Sequence, residues 1–371
     1  MSIALVYIDH SLYQNSALTL ALQRKLEAKN KSLKAIHYLK YNDATLINSL
    51  QNILQSVPQS ISNKTREFCI AASAEAYPLV SRIVATLSGD DLIATGSTLH
   101  PASAIRVENN SYLLRLNDTI CNVLLLRSDD KLPEVLLETG EEFTTWQLFG
   151  NRDYLHALRQ HARDSQYHFE YFQVIDDWYE ICTQATYPME KFLTISPDSD
   201  LILFPSKNIF DTCIKVLEYK GKTITFAESC TGGLIASSFT ARSGSSTILM
   251  GSVVSYANGI KHQWLNVDND ILENHGAVSQ ECVSEMAKGA RRLAKSDIAL
   301  ATSGIAGPTG GTLLKPVGTV YIAASNSKET RVKHLLLKGD RNYIQHQAVM
   351  HSIRQMILLE KKNFEEFFRN A

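Results

Sequence analysis

The chain has 371 residues, 44% of them apolar and 20% charged, and its 37 Lys and Arg nearly balance 38 Asp and Glu, for a formal net charge of −1. That length exceeds one ordinary hydrophobic core and points to two or three domains, while the balanced charge gives no general attraction to nucleic acid or an anionic membrane, so neither is expected as a direct partner. No apolar run approaches the roughly 20 residues needed to span a bilayer.

The opening "MSIALVYIDHSLYQ" lacks a basic segment and reads as a buried first strand rather than a signal peptide. "NSALTLALQRKLEAKN" follows with apolar residues at helical spacing, and Asn15 or Ser16 is its expected N-cap. "EFCIAAS" reads as a buried strand and "AYPLVSRIVATLS" as a helix; "AIRVENNSYLLRLNDTICNVLLLRS" reads as two hairpins with Asn-Asn and Asn-Asp turns. An acidic, polar stretch near 131–145 marks a boundary. "TTWQLFG", "NRDYLHALRQHARD" and "FEYFQVIDDWYEICTQ" then suggest strand, helix and strand, and "ISPDSDLILFPS" supplies Pro, Asp and Ser punctuation. The fold class expected is therefore multidomain α/β: an α/β domain over 1–135, a small α+β linking domain over 136–202, and a second α/β domain over 203–371.

In this last part the alternation is plain. "NIFDTCIKVLEYKG" is a helix that Gly221 can close. Strand "KTITFA" leads into "ESCTGG" and a helix running to about Arg242; "STILMGSVVSYAN" reads as a strand, "SQECVSEMAKGARRLAKS" as a helix and "IALATSG" as a buried strand. "VGTVYIAAS" and "RVKHLLLKG" are expected to pair, and "RNYIQHQAVMHSIRQMILLEKKN" to form one closing helix.

The chemistry concentrates after "TFAESCTGG". In open α/β sheets, ligands gather at strand carboxyl ends and helix N-termini, where free N–H groups favour anions. Ser229 and Thr231 offer hydroxyls there, and Gly232 and Gly233 permit close approach; taken alone, the pattern reads most simply as a capped helix start. Downstream, "SYANGIK" brings Tyr256 and Lys261, and a buried lysine whose pKa falls toward neutrality can serve as base to a serine. "SGIAGPTGG" (303–311), with Ser303, Gly304 and Gly307, can wrap a ligand with backbone N–H groups. Asp340 is the expected N-cap of the closing helix. Arg341 opposes that helix's dipole, which suits a residue that meets an anion. The cysteines at 69, 121, 182, 213, 230 and 282 form no C-x-x-C pair, which favours reduced thiols and a cytoplasmic setting. His156 and His161 lie five apart and share no helix face, so no metal site is expected.

"AESCTGG", "SYANGIKHQWLNV", "HGAVS", "SGIAGPTGG", "KPVGTV" and "GDR" follow one another in an order that resembles the C-terminal domain of the CinA family of competence- and damage-inducible proteins. The resemblance implies a nicotinamide mononucleotide deamidase, which releases ammonia and nicotinate mononucleotide in pyridine nucleotide salvage without a cofactor. It makes Ser229 the nucleophile and Lys261 the base, with Tyr256 assisting. Thr231, Gly232, Gly233, Ser303, Gly304 and Gly307 become candidates for substrate and oxyanion contacts, and Arg341 for charge recognition. Cys230 is the rival nucleophile, being intrinsically more reactive than serine. The family also implies a homodimer and an N-terminal molybdopterin-binding-like domain, which in some members is an ADP-ribose pyrophosphatase. Here the family's Gly-Gly-Leu-Gly-Pro-Thr loop is replaced by "AEAYPLVSR", without glycine and with Glu75 alone as nearby carboxylate, so that domain is expected to be degenerate. The competing readings are a non-catalytic nucleotide sensor, a competence-related binding protein, and a surviving pyrophosphatase.

Overall fold

The computed structural model describes residues 2–55, 66–127, 131–139, 143–164, 169–184 and 201–370. The Pro, Asp and Ser punctuation expected at 195–200 lies outside them. The chain divides into two compact units, residues 1–143 and 144–371, both mixed α/β.

In the first unit, β1 (Ser2–Ile8), α1 (His10–Gln14), α2 (Ser16–Ala28), β2 (Ser32–Leu39), α3 (Leu46–Gln55), β3 (Arg66–Ala72) and α4 (Tyr77–Ser88) alternate as the periodicities predict. Asn15 caps α2 by accepting from the Leu18 N–H at 3.1 Å. A small hairpin, β4 (Leu92–Thr95) with β5 (Thr98–Pro101), precedes β6 (Arg106–Glu108), β7 (Ser111–Leu116) and β8 (Thr119–Leu125). The last three join antiparallel, β6 to β7 and β7 to β8, with Asn110 and Asn117 at positive φ in the turns, as the Asn-Asn and Asn-Asp pairs suggest. The sheet order is β2-β1-β3-β8-β7-β6, with β1 parallel to both β2 and β3. Val135, Leu136 and Leu137 pack into this unit's core, and the Leu136 N–H donates to Asn122 Oδ1 at 2.7 Å.

The second unit opens with β9 (Phe143–Phe149), α5 (Arg152–Asp164), β10 (Glu170–Ile175), β11 (Trp178–Gln184) and β12 (Ile202–Pro205), which form a sheet ordered β10-β11-β9-β12. Phe149, Trp178 and Phe204 from this sheet share one core with the elements that follow. Those are α6 (Ile209–Tyr219), β13 (Ile224–Glu228), α7 (Leu234–Thr240), β14 (Leu249–Val254), α8 (Asn258–Leu265), α9 (Asn269–Asn274), α10 (Gln280–Ala294), β15 (Ile298–Gly304), β16 (Thr319–Ser325), β17 (Thr330–Leu336), α11 (Arg341–Leu359) and α12 (Lys361–Asn370).

Their sheet runs β14-β13-β15-β16-β17, with β14, β13 and β15 parallel and the last two strands antiparallel. The two-residue period of the strands divides the sheet into unlike faces. Ile224, Phe226, Ile298 and Leu300 face α6 and α11, where Cys213, Leu217, Ile353 and Met356 cover them. Full burial of such a side chain stabilises by about 1.5–3 kcal/mol. The opposite face is lined by Ala227, Ala299, Ala301 and Ala323, so α10 can lie close against it through Val283, Met286 and Ala290. At Gly289 a Cβ would stand 1.9 Å from the Leu265 carbonyl oxygen, so only glycine lets α8 and α10 touch. That contact fixes the helix carrying Lys261.

The closing helix expected over 341–363 is two helices. The chain breaks at Glu360, which is buried and accepts from Lys222 Nζ (2.5 Å), Asn326 Nδ2 (2.9 Å) and Asn363 Nδ2. Satisfying that carboxylate takes precedence over helix continuity, and α12 turns so that Phe364 packs on Phe204. The strand expected from residue 246 begins only at Leu249, after a 3₁₀ turn at Ser245–Thr247.

Candidate active site

Strand order in the second sheet reverses between β13 and β15, since β14 lies on one side of β13 and β15 on the other. Such a switch point opens a crevice at the carboxyl ends of the strands. Ser229 leaves β13 at that crevice, and its N–H donates to the Thr302 carbonyl on β15 at 3.0 Å. Ser303 and Gly304 end β15 beside it.

Lys261 occupies the first turn of α8, and only 1% of the residue is exposed. Its Nζ lies 3.1 Å from Ser229 Oγ, 2.7 Å from the Ser255 carbonyl and 2.9 Å from the Tyr256 carbonyl. Burial pushes the Lys261 pKa below the usual lysine value, while the Cys282 and Cys230 thiols act in the opposite direction. Those thiols are themselves pushed up by burial, to about 11 and about 12, so near neutral pH they carry no charge to hold the ammonium. A neutral amine has two N–H groups and one lone pair. The two carbonyls can only accept, so they take both hydrogens and leave the lone pair facing the Ser229 hydroxyl.

Ser229, Tyr256, Lys261, Ser303, Gly304, Gly307 and Arg341 all line one cavity of about 330 Å³. This volume is at the low end of the ~300–1,000 Å³ usual for small-ligand sites. Tyr256 is 64% exposed; its backbone carbonyl reaches Lys261, whereas its hydroxyl lies 3.3 Å from Arg341 Nη2. Arg341 also donates to the Gly307 carbonyl at 2.7 Å, which ties the 303–311 loop to the start of α11, and Asp340 caps that helix. Ser303 Oγ donates to the Ala277 carbonyl at 2.7 Å, bringing the backbone of Ala277 and Val278 to the cavity wall. Nothing in the residue types of "HGAVS" marks this chemical role in the sequence.

Thr231, Gly232 and Gly233 are not part of that wall. Gly232 N–H donates back to the Ser229 carbonyl at 3.2 Å. Thr231 Oγ1 and Gly233 N–H both donate to Glu228 Oε2, at 2.7 and 3.0 Å. The N-terminus of α7, which the sequence suggests as an anion site for a ligand, already holds the chain's own carboxylate. Cys230 reaches the cavity but packs among Ala306, Val320 and Ile322, where burial keeps its thiol protonated. Among the described residues no group of three or more His, Cys, Asp or Glu could hold a metal ion, and no helix is long and apolar enough to cross a membrane.

Residues 206–359 match the family model described as the CinA C-terminal domain. A "CinA-like protein" of Pseudothermotoga lettingae is 49% identical over 132 residues, 36% of this chain and 32% of the relative. A "putative competence-damage inducible protein" of a Thermoanaerobacter species is 46% identical over 143 residues, 38% of this chain and 35% of the relative. The matched part therefore spans about a third of either relative's length. Among solved structures, the competence damage-inducible protein A of Klebsiella pneumoniae is 35% identical, with 39% of this chain and 91% of that chain covered and a TM-score of 0.39. Through residues 206–359, this chain belongs to the CinA C-terminal domain family.

Proposed function

We propose that the second unit is an amidohydrolase that converts nicotinamide mononucleotide to nicotinate mononucleotide and ammonia, acting in the cytoplasm as a homodimer. The observation that carries the reading is the buried Lys261 Nζ, 3.1 Å from Ser229 Oγ, with its other two partners both carbonyls. Neutral Lys261 takes the Ser229 proton as Oγ attacks the carboxamide carbon. The resulting ammonium returns that proton to the leaving nitrogen, the C–N bond breaks and ammonia departs. Water, deprotonated by the same amine, then cleaves the acyl-serine ester and regenerates both groups. Backbone N–H groups of Cys230 and the Ala306–Gly307 segment, which border the cavity, are assigned to the developing oxyanion. Arg341 supplies positive charge for the substrate phosphate.

The test compares ammonia release from nicotinamide mononucleotide by wild type, Ser229→Ala and Cys230→Ala. The reading expects a loss of ~10³-fold or more in the serine variant and activity within about threefold of wild type in the cysteine variant, whose thiol stays protonated. Full activity of Ser229→Ala would sink the assignment. Nucleotide binding by wild type without ammonia release would favour a sensor.

A further inference from the structure

Glu228 stands immediately before Ser229, is fully buried, and is neither the nucleophile nor the base of the proposed reaction. Its carboxylate accepts five hydrogen bonds. Oε2 takes Thr231 Oγ1 (2.7 Å), Gly233 N–H (3.0 Å) and Ile235 N–H (3.0 Å); Oε1 takes Ala236 N–H (3.0 Å) and Ser252 Oγ (3.4 Å). Three of these donors are backbone groups at the start of α7, and Ser252 belongs to neighbouring β14. Thr231 Oγ1 also meets Thr302 Oγ1 on β15 at 2.7 Å. One side chain thus gathers donors from the segment that follows β13 and from the neighbouring strand β14.

The path of the backbone matches this arrangement. Gly232 and Gly233 have φ of 62° and 99°, a left-handed pair that coils residues 231–233 back over the carboxylate of residue 228. Ser229 sits inside that coil, its N–H on Thr302 and its carbonyl on Gly232 N–H. The Glu228 carbonyl accepts from the Ser255 N–H at 2.9 Å, and the Ser255 carbonyl in turn receives Lys261 Nζ. Main-chain bonds around Glu228 therefore reach the strand end that holds the lysine.

We propose that Glu228 is the positioning residue of this site: its carboxylate is the template on which the Ser229 turn is wound, and it sets Ser229 Oγ at reacting distance from Lys261 Nζ. The proposal rests on the Ser229–Lys261 reading. It requires a carboxylate and not merely a polar side chain of that size. Every group facing the two oxygens is a donor, so an amide would turn its NH₂ against N–H or O–H groups. Aspartate keeps the charge but is one methylene short.

The experiment measures kcat and KM for nicotinamide mononucleotide, together with Ser229 phosphonylation by a fluorophosphonate read from intact mass, in wild type, Glu228→Gln, Glu228→Asp and Thr231→Val. The expectation is a kcat loss of at least about 100-fold in Glu228→Gln with KM within about threefold, and a parallel loss of labelling. Thr231→Val removes one donor, leaves the carboxylate in place and should lose about three- to tenfold in kcat; it carries the test if Glu228→Gln does not fold. Glu228→Asp should fall between the two. A folded Glu228→Gln, or in its absence Thr231→Val, with wild-type kcat and labelling would overturn the proposal. If wild type is labelled at Ser229 but does not hydrolyse nicotinamide mononucleotide, the substrate assignment alone fails and the labelling ratios decide the role of Glu228. A wild type that is neither labelled nor active overturns both.

Discussion

Among the described residues, each of the two units buries one lysine almost completely, and the two are used differently. Lys31, 2% exposed, ends in an ion pair with Glu67 at 2.5 Å. Lys261 is equally buried but meets a hydroxyl and two carbonyls. Each unit also places a serine at a switch point of parallel strands. Ser73, just beyond β3, donates its hydroxyl to Asp9 at 2.6 Å and accepts from the Ala76 N–H, so it is locked. Asp9 itself occupies φ 113°, a strained value for a residue other than glycine. Burial raises the Asp9 pKa, but hydrogen bonds from Ser73, Ser11 and His10 outweigh that and hold it below the ordinary value. The same topology therefore yields a closed polar knot in one unit and an amine–hydroxyl pair facing a cavity in the other. The identity of the partner, carboxylate or amine, makes the difference.

Lys31→Met should be the costliest change to stability, about 3–5 kcal/mol in chemical denaturation, because it leaves the Glu67 carboxylate, whose side chain is only 9% exposed, without its counter-charge. Combining it with Glu67→Leu should recover most of that loss. Gly289→Ala should cost about 3 kcal/mol and lower deamidation with it, since the new Cβ collides with the Leu265 carbonyl and displaces the helix that holds Lys261. Ser73→Ala should cost only about 1–3 kcal/mol, the loss of one hydrogen bond to a charged group, and leave deamidation unchanged. An activity loss there would mean that the first unit takes part in the chemistry.

Much of the fold was legible because its signals are local. The apolar runs of β13 and β15, the Asn turns of the β6–β8 meander and the caps at Asn15 and Asp340 are written within a few residues. The site was legible in its residue types but less so in their roles. A Ser, a Lys and a glycine loop announce themselves; the direction of a carboxylate does not. Glu228 could have folded away from the strand end, and only its five donors, four from residues 231–236 and one from Ser252 on β14, show that the turn closes around it. Thr231, Gly232 and Gly233 consequently serve the backbone rather than the cavity. Arg341, expected to require an anion, is already held by a carbonyl and a phenol. The break at Glu360 escaped the helical pattern for the same reason: its partners Lys222 and Asn326 are distant in sequence.

The central claim is that Lys261 acts as a neutral buried base, and the most direct test is the pH dependence of deamidation and of stability in wild type beside Lys261→Met. Because burial lowers the folded-state pKa below the usual 10.5, wild-type kcat/KM should rise with unit slope as the proton leaves and level off below pH 10.5. In the same window, between the lowered folded pKa and the unfolded value, the unfolded chain binds the extra proton, so Lys261 makes stability rise with pH. Lys261→Met should lose about 10²–10⁴-fold in activity, abolish that rise in stability, and melt no lower than wild type near neutral pH, because it orphans no charge. Activity within tenfold of wild type, or a rate independent of pH up to 10.5, would contradict the account.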